Sequence, residues 1–231
     1  MMKKTFVHTP AALDYQDLLC ETTERGRKYV TPQGKQYPSI TTILGKVISD
    51  GWVEEWKAAV GEEAADRVRR VAAQRGERVH SLVEAMLNNQ DIDLRREMPN
   101  VSAAFKSIRP VLEQHVDQIR MQERPLYSDV LQAAGRVDLV AEYDGVLSII
   151  DIKTSSKVKT ADDIHNYFMQ ETAYAIMFEE RTGVPVEQIV TVMAVDFSSP
   201  LVFIEKRDNW SNSLANVIAE YRFLFGAIDT Y

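Results

Sequence analysis

Asp138, Asp151 and Lys153 have the residue types and the spacing from which a divalent-metal site can be built. Asp144-Gly145 separates the two aspartates and is the strongest short hairpin signal in the chain. A two-residue turn at that point brings Asp138 opposite Asp151, and Arg136 opposite Lys153. Because side chains alternate along a strand, Asp151 and Lys153 share one face of the predicted sheet.

Two aspartates that face each other across a hairpin need a counter-charge. Directly opposed residues have Cβ atoms roughly 4.5–5.5 Å apart, and like charges there destabilise the pair. Mg²⁺ is a suitable partner, since it binds one or two carboxylates together with waters and substrate phosphates, and Lys153 would lie beside it. The alternative is that both aspartates are solvated on an exposed sheet face, although aspartate is depleted in strands and Asp151 follows the apolar residues Ile149 and Ile150.

A helix predicted over residues 76–88 carries a further candidate ligand. Its apolar positions recur at the spacing of one helix face. His80 lies at the edge of that stripe, where it could ligate a metal between helix and sheet. A histidine at such an edge is more often structural, and Glu84, one turn later, either orients His80 or faces water. The apolar positions are Val79, Leu82, Val83, Met86 and Leu87.

Gln170 and Tyr174 share one face of a second predicted helix, which covers residues 162–181. Gln170 could hydrogen-bond a phosphate or hold a ligand, and Tyr174 could stack on a base. An ordinary amphipathic boundary explains the same pair without any function.

The surrounding elements predict an α/β fold with a mixed sheet. Tyr29-Val30-Thr31 and Lys35-Gln36-Tyr37 flank a turn and predict a hairpin, and Ser39 is placed to cap a helix that continues to Val47. We expect one domain over residues 1–231, with a mainly helical lobe at 38–121 and a sheet core at 122–231. Further helices are predicted at 101–121 and 210–227, and strands at 128–131, 135–142, 146–153, 188–197 and 201–206.

The composition is that of a globular protein and excludes several classes. Hydrophobic residues make up 45% of the chain, yet no apolar run approaches the roughly 20 residues that cross a bilayer. We expect no signal peptide, because the basic start lacks an apolar stretch behind it. Cys20 is the one cysteine, which excludes a cysteine-only iron–sulfur or zinc site and fits a reducing cytoplasm. A net charge of −7 argues against a non-specific nucleic-acid coat but not against a nuclease with an acidic centre.

Taken together, these residues resemble a known family. Gly76 with His80, Gly135-x-x-Asp138, Asp151-x-Lys153 and Gln170-x-x-x-Tyr174 have the order and spacing of the RecB-like branch of the PD-(D/E)XK nucleases. The resemblance implies an α/β/α sandwich around a mixed sheet, with an N-terminal helical arch. Val137 stands where the family name has proline, a departure that the RecB-like branch tolerates. The single cysteine disfavours the members that carry an iron–sulfur cluster.

A closer similarity covers residues 38 to about 205 and concerns the mitochondrial genome maintenance exonuclease family and its phage relatives. It rests on Pro38–Leu44, Trp56-Lys57, Arg75–His80 and Asp151–Ser155. It implies an exonuclease that uses Mg²⁺ or Mn²⁺ on single-stranded or end-bearing DNA. It also implies a phage or bacterial origin, a cytoplasmic setting, and work alongside replication or recombination proteins.

The resemblance further implies roles for individual residues. His80, Asp138, Asp151 and the carbonyl of Ile152 would hold the metal. Lys153 would position or deprotonate the attacking water, or stabilise the transition state. The implied catalytic residues are Lys153, Asp138, Asp151 and Gln170, and the implied DNA-binding residues are Thr154, Ser155, Tyr174, Arg75, Arg78, Ser39 and Thr41.

The helical segment 38–121 is the expected wall or arch that admits a single strand. Trp52 and Trp56 could stack on bases there or pack in the core. Two rival functions stay open: a structure-specific endonuclease, and a catalytically silent DNA-binding module on the same fold. Five arginines make the segment locally basic, although interspersed acidic residues also fit a solvated helix face; they are Arg67, Arg69, Arg70, Arg75 and Arg78.

Overall fold

The computed structural model describes residues 4–48 and 58–226. Three antiparallel strands form an N-terminal sheet: β1 (Leu19–Thr23), β2 (Gly26–Val30) and β3 (Gln36–Pro38). The predicted hairpin is confirmed, since Tyr29 of β2 pairs with Tyr37 of β3. The sequence pattern did not predict β1, because all of its residues are exposed and no alternating apolar face marks it.

The central sheet contains β4 (Val116–Ser128), β5 (Ala133–Tyr143), β6 (Val146–Ser155), β7 (Gln188–Val195) and β8 (Leu201–Lys206). These strands lie side by side in chain order. β6 and β7 pair in parallel, whereas the other neighbouring pairs are antiparallel. The expected mixed sheet is therefore confirmed.

Helices cover both faces of this sheet: α1 (Ile40–Val47), α2 (Glu62–Leu87), α3 (Pro99–His115), α4 (His165–Thr182) and α5 (Asp208–Phe225), with short 3₁₀ helices at Leu94–Arg96 and Ala161–Ile164. Along β7, Ile189 and Met193 join a core with α1, α4 and α5, whereas Val190 and Val192 join a second core with α2 and α3. A strand buried on both faces needs apolar residues at nearly every position. The expected sandwich is confirmed.

Two local predictions hold at the start of the helical region. Ser39 caps α1, since its hydroxyl accepts a hydrogen bond from Thr42 N at 3.1 Å. The helix predicted over 76–88 forms the second half of the longer α2, whose first half packs little against the described chain: Val68 and Val71 are each 55% exposed. None of the helices in residues 4–48 and 58–226 combines the length and the apolar character needed to cross a bilayer.

The helix predicted over 101–121 is wrong at its end. α3 stops at His115, and Val116 opens β4, which pairs with β5 across a bulge between Asp117 and Met121. Gln118 in that bulge has a φ of 48°. The bulge breaks the period-two alternation that would have identified a strand.

The strand predicted over 128–131 is wrong as well. Residues 129–132 form the turn between β4 and β5. Glu180 of α4 stabilises this turn, because its carboxylate accepts hydrogen bonds from the Ser128 hydroxyl and the Asp129 amide. A contact from a distant helix therefore overrides the local apolar pattern.

Candidate active site

The catalytic candidates gather where β5 and β6 separate. The hairpin keeps the predicted register from Tyr143↔Val146 to Leu139↔Ile150. Beyond that last pair, β5 continues beside β4, while β6 continues beside β7. The two strands thus form a fork at the point where the predicted aspartates lie.

Asp138 is the first residue of β5 beyond the paired hairpin, and its carboxylate takes the place of a backbone partner. Asp138 Oδ2 accepts a hydrogen bond from Ile152 N at 2.8 Å. The predicted pairing of Arg136 with Lys153 does not form, because the β5–β6 ladder ends at Leu139↔Ile150. Arg136 pairs with Pro125 of β4, and its guanidinium donates to the Glu123 carbonyl. The side chain of Asp138 therefore bridges the two arms of the fork.

Asp151 is 1% exposed, and both of its carboxylate oxygens have partners. Oδ2 contacts the Lys153 ammonium, and Oδ1 accepts a hydrogen bond from Gln170 Nε2 at 3.1 Å. Burial raises the pKa of Asp151 to about 6, although Lys153 opposes that rise. Gln170, predicted from its place on the helix, therefore lies in direct contact with the acidic centre.

Lys153 is held as a cation in this environment. Burial alone would lower the pKa of Lys153, but the Asp151 and Asp138 carboxylates outweigh that effect and hold the pKa above its usual value. Its Nζ also lies 5.0 Å from the centroid of the Tyr167 ring, a distance at which a cation–π interaction stabilises positive charge.

His80 of α2 approaches the same fork. Its Nε2 lies 2.7 Å from the Ile152 carbonyl oxygen, and its Nδ1 lies 3.4 Å from Glu123 Oε1 and 3.5 Å from Asp138 Oδ2. Burial alone would lower the pKa of His80, but the Asp138 and Glu123 carboxylates raise it to about 9. The imidazole is therefore protonated at neutral pH, and its single positive charge offsets part of the negative charge of these two carboxylates.

Glu123 is a site residue that sequence reasoning missed. Candidate ligand atoms of His80, Glu123 and Asp138 all lie within 4.8 Å of one another. The neighbours of Glu123 in β4 pair with β5 on either side of Asp138, so a predicted strand at 116–128 would have placed Glu123 beside that aspartate. Because a helix was expected over 101–121, the pairing of β4 with β5 around Asp138 could not be predicted.

This group fits a divalent metal ion. Carboxylate oxygens and an imidazole nitrogen suit Mg²⁺ and Mn²⁺. The side chains of His80, Glu123 and Asp138 are 25%, 26% and 13% exposed, so an ion can reach them from solvent. A dication can replace the charge of the protonated imidazole, since metal binding requires the neutral ring. The Ile152 carbonyl oxygen, also expected as a ligand, lies 2.7 Å from His80 Nε2. Asp151, the other expected ligand, is outside this group, because its carboxylate contacts Lys153 and Gln170.

The predicted DNA-binding residues of β6 and α1 differ in their exposure. Thr154 and Ser155 continue β6 directly after Lys153, and both are partly exposed. Thr41 is exposed and lines a small cavity together with Gln170. Ser39 is buried, and its hydroxyl caps α1, so any contact with DNA passes through its neighbours.

Three other predicted residues have partners within the protein. Tyr174 is 3% exposed and packs on Gly135, where an added Cβ would lie 2.7 Å from Tyr174 Cε1. No face of its ring is available to a base, so the expected stacking role gives way to packing behind β5. Arg75 forms an ion pair with Asp196, and Arg78 forms one with Glu97. Each arginine would have to give up this partner in order to bind a phosphate. Trp52 and Trp56 lie outside the described residues.

Curated relatives are exonucleases. The mitochondrial genome maintenance exonuclease 1 of Homo sapiens is 29% identical over 130 residues, which are 53% of this chain and 38% of that protein. The protein of the same name from Mus musculus is 27% identical over 134 residues, 55% of this chain and 39% of its own length. The chain thus matches well under half the length of these curated relatives.

The candidate residues also fall inside a family match. Among solved structures, a candidate exonuclease from Eubacterium rectale is similar at 15% identity and a TM-score of 0.43, over 64% of each chain. Residues 53–207 match the model of the PD-(D/E)XK nuclease superfamily, a range that contains His80, Asp138 and Lys153. Because this match spans more than half of its residues, the chain belongs to the PD-(D/E)XK nuclease superfamily.

Proposed function

We propose that the chain hydrolyses DNA as a Mg²⁺- or Mn²⁺-dependent exonuclease that prefers single-stranded or end-bearing strands. One observation carries the proposal: the ligand group of His80, Glu123 and Asp138 lies at the same strand fork as the Asp151–Lys153 ion pair. Phosphodiester hydrolysis needs a metal and a fixed cation close to one phosphate, because negative charge develops there in the transition state. Membership of a nuclease superfamily and similarity to named exonucleases support it.

The side chains at the fork divide into ligands and neighbours. His80, Glu123 and Asp138 would hold the ion, with Asp151 and the Ile152 carbonyl beside them. A bound Mg²⁺ or Mn²⁺ supplies a Lewis acid for the scissile phosphate and lowers the pKa of a water ligand. Two carboxylates with partial exposure leave room for the waters and substrate oxygens that Mg²⁺ retains.

Lys153 acts here as a fixed positive charge rather than as a base. Its raised pKa keeps the ammonium protonated at neutral pH, so it stabilises negative charge on the phosphate as the transition state forms. Gln170 holds the Asp151 carboxylate, and Asp151 in turn holds the ammonium. We expect the Thr154 hydroxyl to donate a hydrogen bond to a neighbouring phosphate, whereas the Ser155 hydroxyl already donates to the Lys157 carbonyl and would have to exchange that bond.

The strand preference rests on the first half of α2. Arg67 and Arg70 are exposed there, alongside the exposed apolar residues Val68 and Val71. Cations attract the phosphates of any nucleic acid, and exposed apolar side chains beside them offer contact area to bases, which an unpaired strand presents more openly than a duplex does. This half-helix therefore suits an unpaired strand or a frayed end.

Lys153→Ala tests the chemistry, with Lys106→Ala on the outer surface of α3 as a matched control. The assay follows labelled linear single-stranded DNA with Mg²⁺, Mn²⁺ or EDTA. We expect both the wild type and the control to degrade the strand only with metal. We expect Lys153→Ala to fold and bind DNA but to cleave at least about 100-fold more slowly; wild-type rates from this variant would contradict the assignment.

Other substrates separate the rival functions. A circular single strand should stay intact, whereas its cleavage would identify an endonuclease. Efficient degradation of a blunt duplex would contradict the strand preference. If the wild type releases no label from the linear single strand with either metal, the chain is better described as a catalytically silent DNA-binding module.

A further inference from the structure

A basic cavity of about 400 Å³ lies away from the fork, between the N-terminal sheet, α1 and the end of α5. Four cations line it, and none of its described lining residues carries a carboxylate. Its cationic and aromatic lining residues are Arg25, Arg27, Lys28, Lys46, Tyr221 and Phe225.

Among residues 4–48 and 58–226, none of these four cations forms an ion pair within 4 Å of a carboxylate, although Glu21 of β1 lies opposite Lys28 in the sheet. Arginines elsewhere are commonly neutralised, as in the pairs Arg75–Asp196 and Arg207–Glu179. The whole chain carries a net charge of −7, so neutralising carboxylates are abundant overall. Four like charges gathered around one cavity repel one another, and an anionic ligand relieves that repulsion.

Aromatic side chains accompany these cations. Lys46 Nζ lies 4.8 Å from the centroid of the Phe225 ring, and Tyr221 lines the same cavity. Phe225 is 51% exposed, and Phe223 close by on α5 is 87% exposed. A ligand with phosphates and flat rings, as in an unpaired nucleic-acid strand, satisfies both kinds of side chain.

α1 connects this cavity to the catalytic fork. Thr42 and Lys46 line the basic cavity, whereas Thr41 and Gly45 line the small cavity that contains Gln170, the residue that contacts the catalytic carboxylate. A strand that leaves the fork past Gln170 therefore reaches the basic cavity by crossing one short helix.

The distance between the two sites is short and the connection is rigid. Ser39, just before α1, is bridged to Ala134 of β5, and Asp138 lies four residues further along that strand, which is about 13 Å. Arg27 is tied to the same helix, because its amide donates to Thr42 Oγ1 at 3.1 Å and its carbonyl accepts from Ser39 N at 2.8 Å. Pro38, the residue before Ser39, lines the basic cavity, so this span along β5 corresponds to a few nucleotides between the edge of the cavity and Asp138.

We propose that the basic cavity binds the single DNA strand a few nucleotides away from the scissile phosphate. The proposal rests on the proposed nuclease function and extends it by a second contact point. Affinity for a long strand then depends on the cavity, whereas cleavage of a substrate too short to reach it does not.

The double variant Arg27→Ala/Lys46→Ala tests this contact, with Arg95→Ala/Lys106→Ala as a control of equal charge change at exposed positions. Anisotropy of a labelled strand of about 16 nucleotides is measured in EDTA, so that binding is read without cleavage. We expect at least tenfold weaker binding for the cavity variant alone. The logarithm of the association constant decreases linearly with the logarithm of the salt concentration. The magnitude of that negative slope should become smaller by about 0.7 for each phosphate that the variant no longer neutralises.

Cleavage kinetics provide the second arm. We expect KM for the long strand to rise with kcat unchanged, and the rate on a dinucleotide to match that of the wild type. Equal binding by the cavity and control variants, or an equal loss on both substrates, would overturn the proposal. Arg25→Ala at an exposed turn serves as a second variant if the double variant does not fold, and unchanged binding by it would count as a negative result.

The binding and cleavage measurements distinguish failure of the nuclease function from failure of the binding surface. If the wild type binds the long strand through the cavity but cleaves nothing, the nuclease function fails and the binding surface stands. If the wild type cleaves both substrates and the cavity variant is unaffected, the nuclease function stands and the binding surface fails.

Discussion

Metal binding at the fork should depend steeply on pH, because the metal and a proton compete for His80. The ring lies 3.5 Å from Asp138 and 3.4 Å from Glu123. Burial alone would lower its pKa, but these carboxylates raise it to about 9. A dication needs the neutral ring and the same two carboxylates. The metal must therefore displace the proton at every pH below about 9.

The size of the effect follows from that pKa. Each unit of pH below the pKa of His80 adds about 1.4 kcal/mol to the cost of removing the proton. At pH 7 the cost is about 2.7 kcal/mol, which weakens the apparent metal affinity about 100-fold relative to the plateau above pH 9. Below pH 6 the slope should steepen, since Asp151, with a pKa raised by burial to about 6, also takes up a proton.

The assay is calorimetric titration of Mn²⁺ between pH 6 and pH 9, in buffers with different ionisation enthalpies. About one proton should be released per metal at pH 7. His80→Asn should lose this release, whereas His115→Asn, which alters a histidine hydrogen-bonded to Asp144, should keep it. Metal affinity that does not change between pH 6.5 and pH 9, or titration without proton release, would refute the reasoning.

Three other perturbations have outcomes that the structure specifies. Glu123→Gln should weaken metal binding at least about 10- to 100-fold in the same titration, whereas Glu77→Gln at an exposed position of α2 should leave it within a factor of a few; equal effects would contradict the ligand assignment. Burial raises the pKa of the Glu171 carboxyl well above its usual range, so the folded state favours the protonated, neutral carboxyl. The free energy of unfolding should therefore decrease as the pH rises above about 4.5, where the unfolded chain loses this proton. Glu171→Gln should remove that decline in denaturant melts, and identical pH profiles would argue against it. Gly135→Ala should cost about 1–3 kcal/mol by overpacking, because the new methyl group would meet Tyr174; an unchanged melting temperature would show that the ring can move.

The register of the central hairpin could be predicted from sequence because one turn determines it. Asp144-Gly145 sets the pairing from Tyr143↔Val146 to Leu139↔Ile150. The ladder ends there, so the expected direct pairing of Asp138 with Asp151 does not form, and the Asp138 carboxylate bonds to Ile152 N instead. His80 could be located because an uninterrupted helical period identifies the edge of its apolar stripe. These inferences needed local pattern alone.

What could not be predicted depends on contacts between distant segments. The bulge at Gln118 makes β4 look helical, and so concealed Glu123. The β5–β6 ladder ends at Leu139↔Ile150, and there the Asp138 carboxylate bonds to the Ile152 amide, a side-chain contact that the pairing pattern does not encode. The buried state of Tyr174 depends on Gly135. No single segment contains that information.

The backbone amide of Ile152 reports on the state of the metal-binding group. Its N–H is held by the Asp138 carboxylate and its carbonyl oxygen lies against the His80 ring, so one residue with an unreactive side chain touches both candidate ligands. No side-chain substitution at position 152 can delete either interaction, since each belongs to the main chain. Hydrogen–deuterium exchange of that amide should be slow while the carboxylate stays in place and fast in Asp138→Ala, which makes the state of the centre visible without a substrate.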